Sequence, residues 1–428
     1  MFEVLAKEWK AMRFLKRPDD AKGEDLTHEV RDKVNDILTQ IKENGWEALS
    51  KISKSLDGIT PFRIDPEDMA KAWDDLPSNL KEALKVAGKN IRTFHRAQRN
   101  IFKNFECDIA EGQIAGMRFV PVKSTAVYVP GGRYPLPSSV LMGVIPAQEA
   151  GVERIVIVTP PGKEGSPSPV TLAAMGLLDV NEAWVVGGAQ AIAAAAFGAG
   201  DIKRVDFIVG PGNAFVTEAK RQVFGVVGID GLAGPSEVLI VADESANPKF
   251  LAADMLAQLE HDPSAKAMLL VTEEMLAIKA IEEVRHLLSD LKTASVASLS
   301  WEKGATVAVG SLEEIADFAN GIAPEHLELV IKEPTSGLEL FSSYGAAFLG
   351  QHSAVPFGDY IAGTNHVLPT GGSAKFQGGL WVGTFLRPMQ HLYLSQKAAS
   401  DLALHGATIA GAEGLSAHDT AMRLRRDF

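Results

Sequence analysis

The stretch TAVYVPGG at residues 125–132 is a short β-branched and aromatic run that ends on proline and glycine. Three runs of the same build follow, RIVIVTPPG (154–162), AWVVGG (183–188) and VDFIVGPG (205–212), each trailed by an alanine-rich or amphipathic stretch with helical spacing. Such alternation predicts parallel strands, because parallel neighbours need a crossover and a helix is the usual one. The texture returns in VLIVADES (238–245), AMLLVTEE (267–274), ATVAVGS (305–311) and AAFLG (346–350). The expected fold is therefore α/β, with two doubly wound, Rossmann-like parallel-sheet domains. Residues 27–48 and 78–103 carry apolar positions at helical spacing among many charges, and these predict long amphipathic helices that serve as packing elements.

Composition narrows the class. A chain of 428 residues exceeds one ordinary core, and roughly 100 to 200 residues per domain suggests two to four domains. A net charge of -12 argues against a phosphate backbone as partner, since that needs clustered basic residues. The one cysteine, Cys107, excludes a disulfide framework and a thiolate-rich zinc site, and is read as a small buried hydrophobe. The opening MFEVLAKEWKAMRFLKRPDD has charges throughout and does not read as a signal peptide. The weakly polar run at 224–234 is too short and too glycine-rich for a membrane span. A cytoplasmic protein without nucleic-acid or membrane partners is expected.

Three groups of residues could carry chemistry. Gln258 and His261, in AQLEHDP, are three apart in an apolar-periodic stretch that Pro263 stops, so on a helix they share a face. With Asp359 and His418 they make a donor set of two imidazoles, a carboxylate and an amide that suits zinc, although spacing alone also allows a plain surface or core pair. In APEHLEL (323–329), Glu325 and His326 are adjacent. Neighbours on a strand face opposite ways, so they serve one site only if Pro324 breaks the extended backbone; otherwise they are an exposed acid beside an edge histidine. There is no G-x-G-x-x-G after a strand. Tyr128, Gln190 and Asn213 nevertheless stand at strand ends, where ligands bind in open α/β sheets, while Gly210-Pro211-Gly212-Asn213 would also turn tightly without any ligand.

From about Asn90 to His418 the chain resembles the histidinol dehydrogenase family, in NIRTFHRAQ, VYVPGG, PSSVLMGVIPAQEAGV, GGAQAIAA, VDFIVGPGNAFVTEAKRQVFG, GIDGLAGPSEVLIVAD, LEHDP, APEHLEL and GDYIAGTNHVLPTGG. The resemblance implies that Gln258, His261, Asp359 and His418 hold zinc and that Tyr128, Gln190 and Asn213 contact NAD. It also implies that Glu325 and His326 do acid–base work, His326 on the alcohol and Glu325 on a water that attacks the aldehyde. Ser236, His366 and Glu413 would line the substrate pocket together with His326 and the four metal ligands. The implied layout is a helical N-terminal extension (1–20), a first domain of 21–127 with 237–370, an inserted NAD-binding domain (128–236) and a helical tail (371–428). That tail would cross to the other subunit of a homodimer and contribute Glu413 and His418 there. His28, His95, His286, His352, His391 and His405 are assigned to packing or surface.

The implied reaction is a four-electron oxidation of a primary alcohol to a carboxylate through an aldehyde, L-histidinol to L-histidine. Two stretches depart from that pattern: RYPL at 133–136, with Arg133, and FQGGLWVGTFLRPMQHLYLSQ at 376–396, with Trp381. Both look more like the sulfopropanediol dehydrogenase branch. A sulfonate would require an inward cation such as Arg133, Lys375 or Arg387. Alternatives left open are thus a relative oxidising a sulfonated diol and a zinc hydrolase that uses Glu325 as base without NAD.

Overall fold

The computed structural model describes residues 12–18, 27–131 and 134–426. Arg133 and most of the expected extension at 1–20 lie outside these residues. In chain order the main elements are β1 (Arg13–Lys16), α1 (Thr27–Leu56), β2 (Phe62–Ile64), α2 (Pro66–Asp75), α3 (Ser78–Arg99), β3 (Phe105–Ala110), β4 (Gln113–Pro121) and β5 (Ser124–Tyr128). Then come α4 (Pro137–Ala150), β6 (Arg154–Thr159), α5 (Pro169–Leu177), β7 (Glu182–Val185), α6 (Gly188–Phe197), β8 (Phe207–Val209), α7 (Ala214–Val223) and β9 (Gly228–Ile229). The second run is β10 (Glu237–Ala242), α8 (Pro248–Leu259), β11 (Lys266–Val271), α9 (Glu274–Leu288), α10 (Ala294–Gly304), β12 (Ala305–Val309), α11 (Leu312–Ile322), β13 (His326–Val330), β14 (Ala346–Leu349) and α12 (Val355–Tyr360). The tail holds β15 (Leu386–Leu394), α13 (Gln396–Ala412) and α14 (Ser416–Arg423).

Two six-stranded sheets form, ordered β2-β7-β6-β5-β8-β9 and β1-β12-β11-β10-β13-β14. In each, five strands are parallel, and an antiparallel edge strand, β2 on β7 or β1 on β12, closes one side. The chain winds outward from β5 to β7, then returns to place β8 beside β5; from β10 it winds to β12 and returns to place β13 beside β10. Each sheet therefore has its switch point between its first and fourth parallel strands, which is where α/β sheets open a crevice.

Burial on both faces explains the continuous apolar strands. On β10, Val238, Ile240 and Ala242 pack into one core while Leu239 and Val241 pack into another. On β6, Val156 and Val158 face one side and Ile157 the other. Each such fully buried side chain contributes roughly 1.5–3 kcal/mol. Helix starts are marked locally: α2, α4, α5, α8 and α12 carry proline in the first turn, where a missing N–H costs nothing, and Ser311 with Glu314 forms a capping box on α11. The expected helix at 27–48 runs on to Leu56 with a break at Gly45, whose φ of 54° a side chain would resist.

Three expectations change. Val34, Leu38, Ile41 and Leu49 of α1 share a core with Ala126, Val156 and Ile192, and β2 pairs with β7. The helices before β3 thus lie with the sheet of 124–229, not with the sheet of 237–349 to which residues 21–127 were assigned. Cys107 is exposed, because β3 is an edge strand of a separate three-stranded sheet, β15-β4-β3, and is open on both faces in one chain. The tail also holds a nine-residue strand, β15, that returns to pair with β4. Among the described residues no helix is long and apolar enough to cross a membrane.

Candidate active site

The amino ends of β10 and β13 lie side by side, at the opposite end of these strands from the crevice that a switch point opens. A left-handed residue, Ala323 (φ 51°), ends α11, and Pro324 turns the chain before the strand begins. Glu325 therefore precedes the extended backbone, and its side chain is free to swing to the same side as that of His326. Glu237, the first residue of β10, holds both: its N–H donates to Glu325 Oε2 at 2.9 Å, and its carbonyl accepts from His326 Nδ1 at 3.0 Å. The two side chains come within 3.6 Å of each other. A carbonyl can only accept, so Nδ1 carries the proton and Nε2 of the neutral ring is bare. That Nε2 is buried without a partner, 3.9 Å from Asp359 Oδ1.

Burial dominates the electrostatics here. It pushes Glu325 well above the carboxylate range, and the neighbouring Glu237 and Asp359 carboxylates push the same way. It lowers His326 to about 4, opposed by the bond to Glu237 and reinforced by His261 and His366. Burial also raises Asp359 to about 7. Asp359 rides on α12, whose first N–H, at Val355, donates to Glu328 Oε1 at 2.6 Å, and its own carbonyl lies 2.9 Å from His366 Nδ1. Glu328 is on the same face of β13 as His326, two residues along, and burial followed by the charge of Asp254 raises its pKa well above normal.

Gln258 is buried in the last turn of α8, with its amide nitrogen unpartnered. His261 does not share the helix face as expected: α8 ends at Leu259, two residues short of it, because Pro263 has no N–H for the Leu259 carbonyl four residues back and its ring would clash with that carbonyl in a continued helix. It lies exposed beside the end of the helix, its N–H on the Gln258 carbonyl at 3.4 Å. The donor set fits a divalent cation: a buried acid raised by desolvation with no opposing cation, and an unpartnered buried amide that can present its oxygen once rotated. Within one chain the set is incomplete. No three His, Cys, Asp or Glu side chains cluster for a metal among the described residues, and His418 sits exposed on α14.

The other sheet presents the carboxyl ends of β5 and β8. Tyr128 ends β5, buried, its hydroxyl accepting from Gly188 N–H at 3.2 Å, and burial pushes it up to about 12. Gly210 follows β8 with φ 116°; a Cβ there would sit 2.2 Å from the Tyr128 carbonyl, so only glycine allows the two strand ends to approach. Lys220, nearly fully buried, pairs with Asp230 and donates to the Gly210 carbonyl at 2.9 Å, while Asp230 accepts from Gly210 N–H at 2.7 Å. Asn213 caps α7, accepting from the Phe215 and Val216 amides, which is the turn chemistry left open from sequence. Gln190 is buried and donates to Asp57 at 2.9 Å. The two ends join where Gly234 N–H meets Thr370 Oγ1 at 2.5 Å and Gly371 N–H meets Glu237 Oε1 at 3.0 Å.

One chain thus brings together Glu325, His326, Asp359 and His366, with His261 within electrostatic reach of both His326 and His366. Ser236 is half-buried beside Glu237. Glu413 and His418 are exposed on the tail helices and bond to none of these residues. Sequence reasoning missed Glu237, Glu328 and Asp57. The first two had a signal, since an acid inside a run as apolar as EVLIVA or HLELV must be paired or protonated. Asp57, in a turn, had none.

A profile described as histidinol dehydrogenase matches residues 20–426. A histidinol dehydrogenase of Bacillus cereus is 44% identical over 399 residues, 92% of each chain. One of Aquifex aeolicus is 44% identical over 415 residues, 95% of each. The crystal structure of histidinol dehydrogenase from Elizabethkingia anophelis superposes with a TM-score of 0.89 at 34% identity, covering 96% of this chain and 94% of that one. A doubly wound pair of sheets with a buried acid–base pair, so closely matched, is an enzyme of the dehydrogenase class. The chain belongs to the histidinol dehydrogenase family.

Proposed function

We propose that this enzyme oxidises L-histidinol to L-histidine in two hydride steps through the aldehyde. The observation that carries this reading is the convergence of Glu325 and His326 on the peptide of Glu237, beside an Asp359 carboxylate raised by burial. His326, with a bare Nε2, accepts the alcohol proton. Glu325, a carboxyl whose basicity is raised, takes a proton from water as that water adds to the aldehyde, giving the hydrate for the second oxidation. Enclosure of both groups keeps bulk solvent from the aldehyde between steps.

Gln258, His261 and Asp359 would hold zinc, completed by His418 of a second copy, and Tyr128, Gln190 and Asn213 would contact NAD. When bound, the cation supplies a template for the alcohol and NAD supplies the hydride acceptor. Support for a tail-crossed homodimer comes from apolar residues left bare in one chain, Leu402, Leu404, Ile409 and Leu415 on α13 and beyond, and Leu392 and Tyr393 on β15. The exposed positions of Glu413 and His418 fit the same arrangement. Cytoplasmic residence fits the free, exposed Cys107.

Among the described residues, which leave out Arg133, neither candidate cation of the sulfonated-diol alternative faces inward: Lys375 is exposed, Arg387 is exposed and donates to the Pro121 carbonyl, and Trp381 packs on Phe102. A panel of histidinol, sulfonated diols and plain diols, scored by NADH formed per molecule consumed, tests the reading. Two NADH per histidinol is the expected result. Turnover of a sulfonated diol with none of histidinol would replace it, and hydrolytic turnover without NADH would make the protein a zinc hydrolase.

A further inference from the structure

Dinucleotide folds with the usual glycine fingerprint place an acid at the end of a neighbouring strand, where it accepts hydrogen bonds from a ribose; NADP-binding relatives place an arginine there for the 2′-phosphate. This chain has no such fingerprint, and β6, the strand that follows β5, ends on Thr159 instead of an acid. A carboxylate arrives from elsewhere. Asp57 lies in the turn between α1 and the edge strand β2, and because β2 pairs with β7, that turn comes to the carboxyl end of β7. There one Asp57 oxygen accepts from Gln190 Nε2 at 2.9 Å. A Cβ on Gly187 would stand 3.6 Å from the same oxygen and only 2.6 Å from the Pro160 side chain, so glycine lets Pro160 and Asp57 both approach the backbone there. Gly188, the next residue, donates to Tyr128 across the sheet.

Asp57 is only half-buried, and among the described residues no basic side chain pairs with it. An acid placed for structure alone would be expected to cap a helix or meet a cation. Instead it is joined to an amide at the strand ends, next to two of the residues assigned above to the dinucleotide. We propose that Asp57 selects the unphosphorylated dinucleotide, accepting hydrogen bonds from ribose hydroxyls and repelling a 2′-phosphate. This rests on the dinucleotide reading of the preceding section. Like charges at contact distance disfavour binding strongly where solvent is partly excluded, and a hydroxyl donor lost from a carboxylate is a charge-assisted bond lost.

The test is equilibrium binding of NADH and NADPH to the zinc-loaded dimer, followed by nicotinamide fluorescence with no alcohol present. Wild type is expected to hold NADH about a hundredfold tighter than NADPH, Asp57→Asn to narrow that ratio at least about tenfold, and Asp57→Glu, which keeps the charge, to preserve its direction. Circular dichroism reports whether Asp57→Asn folds; if it does not, Asp57→Ser carries the same readout. An unchanged ratio in a folded variant overturns the proposal and leaves the dehydrogenase reading intact, as does a wild type that binds both nucleotides equally. A wild type that binds neither brings down the dehydrogenase reading itself, and this inference with it.

Discussion

The Nδ1 atom of His326 sits 3.0 Å from the carbonyl oxygen of Glu237, on the strand next to its own. That single bond selects the tautomer, and with it the atom that can take a proton. His326→Asn keeps a donor for the carbonyl but removes the base. The first hydride step, followed as NADH in a single turnover with histidinol, is expected to slow by about 10²–10⁴-fold; a loss under tenfold would remove His326 from that role.

Glu325 holds its place through the amide of Glu237, a bond that Glu325→Gln retains through its carbonyl oxygen. The variant is expected to form the first NADH at near wild-type rate and to stall before the second, so that aldehyde accumulates and can be trapped with a carbonyl reagent. Equal slowing of both halves would mean that Glu325 does not act on water.

If His418 crosses between subunits, two proteins that each fail to make the acid should repair each other, with activity scored as histidine formed. Glu325→Gln keeps its own His418, and His418→Ala keeps its own Glu325, so a mixed dimer regains one intact site. Co-refolding equal amounts is expected to return about a quarter of wild-type activity, since half the dimers are mixed and each has one of two sites whole. No recovery, with mixed dimers shown by sedimentation or native mass spectrometry, would place His418 in its own subunit.

Glu149 on α4 binds Arg92 and Arg96 of α3, with a contact of 2.8 Å to Arg92. Burial pushes its carboxyl up, but bonds to Arg96 and Arg92 outweigh this and leave it below the usual 4.5. The folded value is the lower one, so the stability it contributes is present above the unfolded value and is lost as pH falls through the folded value. Glu149→Gln is expected to lower Tm by about 2 °C near neutral pH, and the gap should close as the pH falls through the lowered folded value. A gap that persists at lower pH would trace the effect to packing instead.

How much of this was legible depends on the range over which each residue acts. Strand runs such as VLIVA and their glycine turns declare themselves locally, so both parallel sheets could be read from the chain, as could the family through its long motifs. Glu325 and His326 were legible as candidates, but their convergence was not, because it depends on a left-handed Ala323 and on the peptide of Glu237, 88 residues away from Glu325. The home of α1 was not legible either: an amphipathic stripe states that a helix packs, not against which sheet, and β2 is only three residues long. Asp57 and the exposed Cys107 were missed for the same reason, since each owes its surroundings to strand pairings made far along the chain.

The two antiparallel edge strands have a meaning beyond pairing. β1 and β2 both come from the first 64 residues, while the sheets they border are built from residues 124–229 and 237–349. A ribosome therefore releases each border before the surface it will cover. Open strand edges invite other chains to add on, most of all while a slow parallel sheet is still assembling. In this protein the nascent chain carries its own protection ahead of the hazard, and a shortened form lacking those early residues would enter the crowded cell with two unsheltered margins.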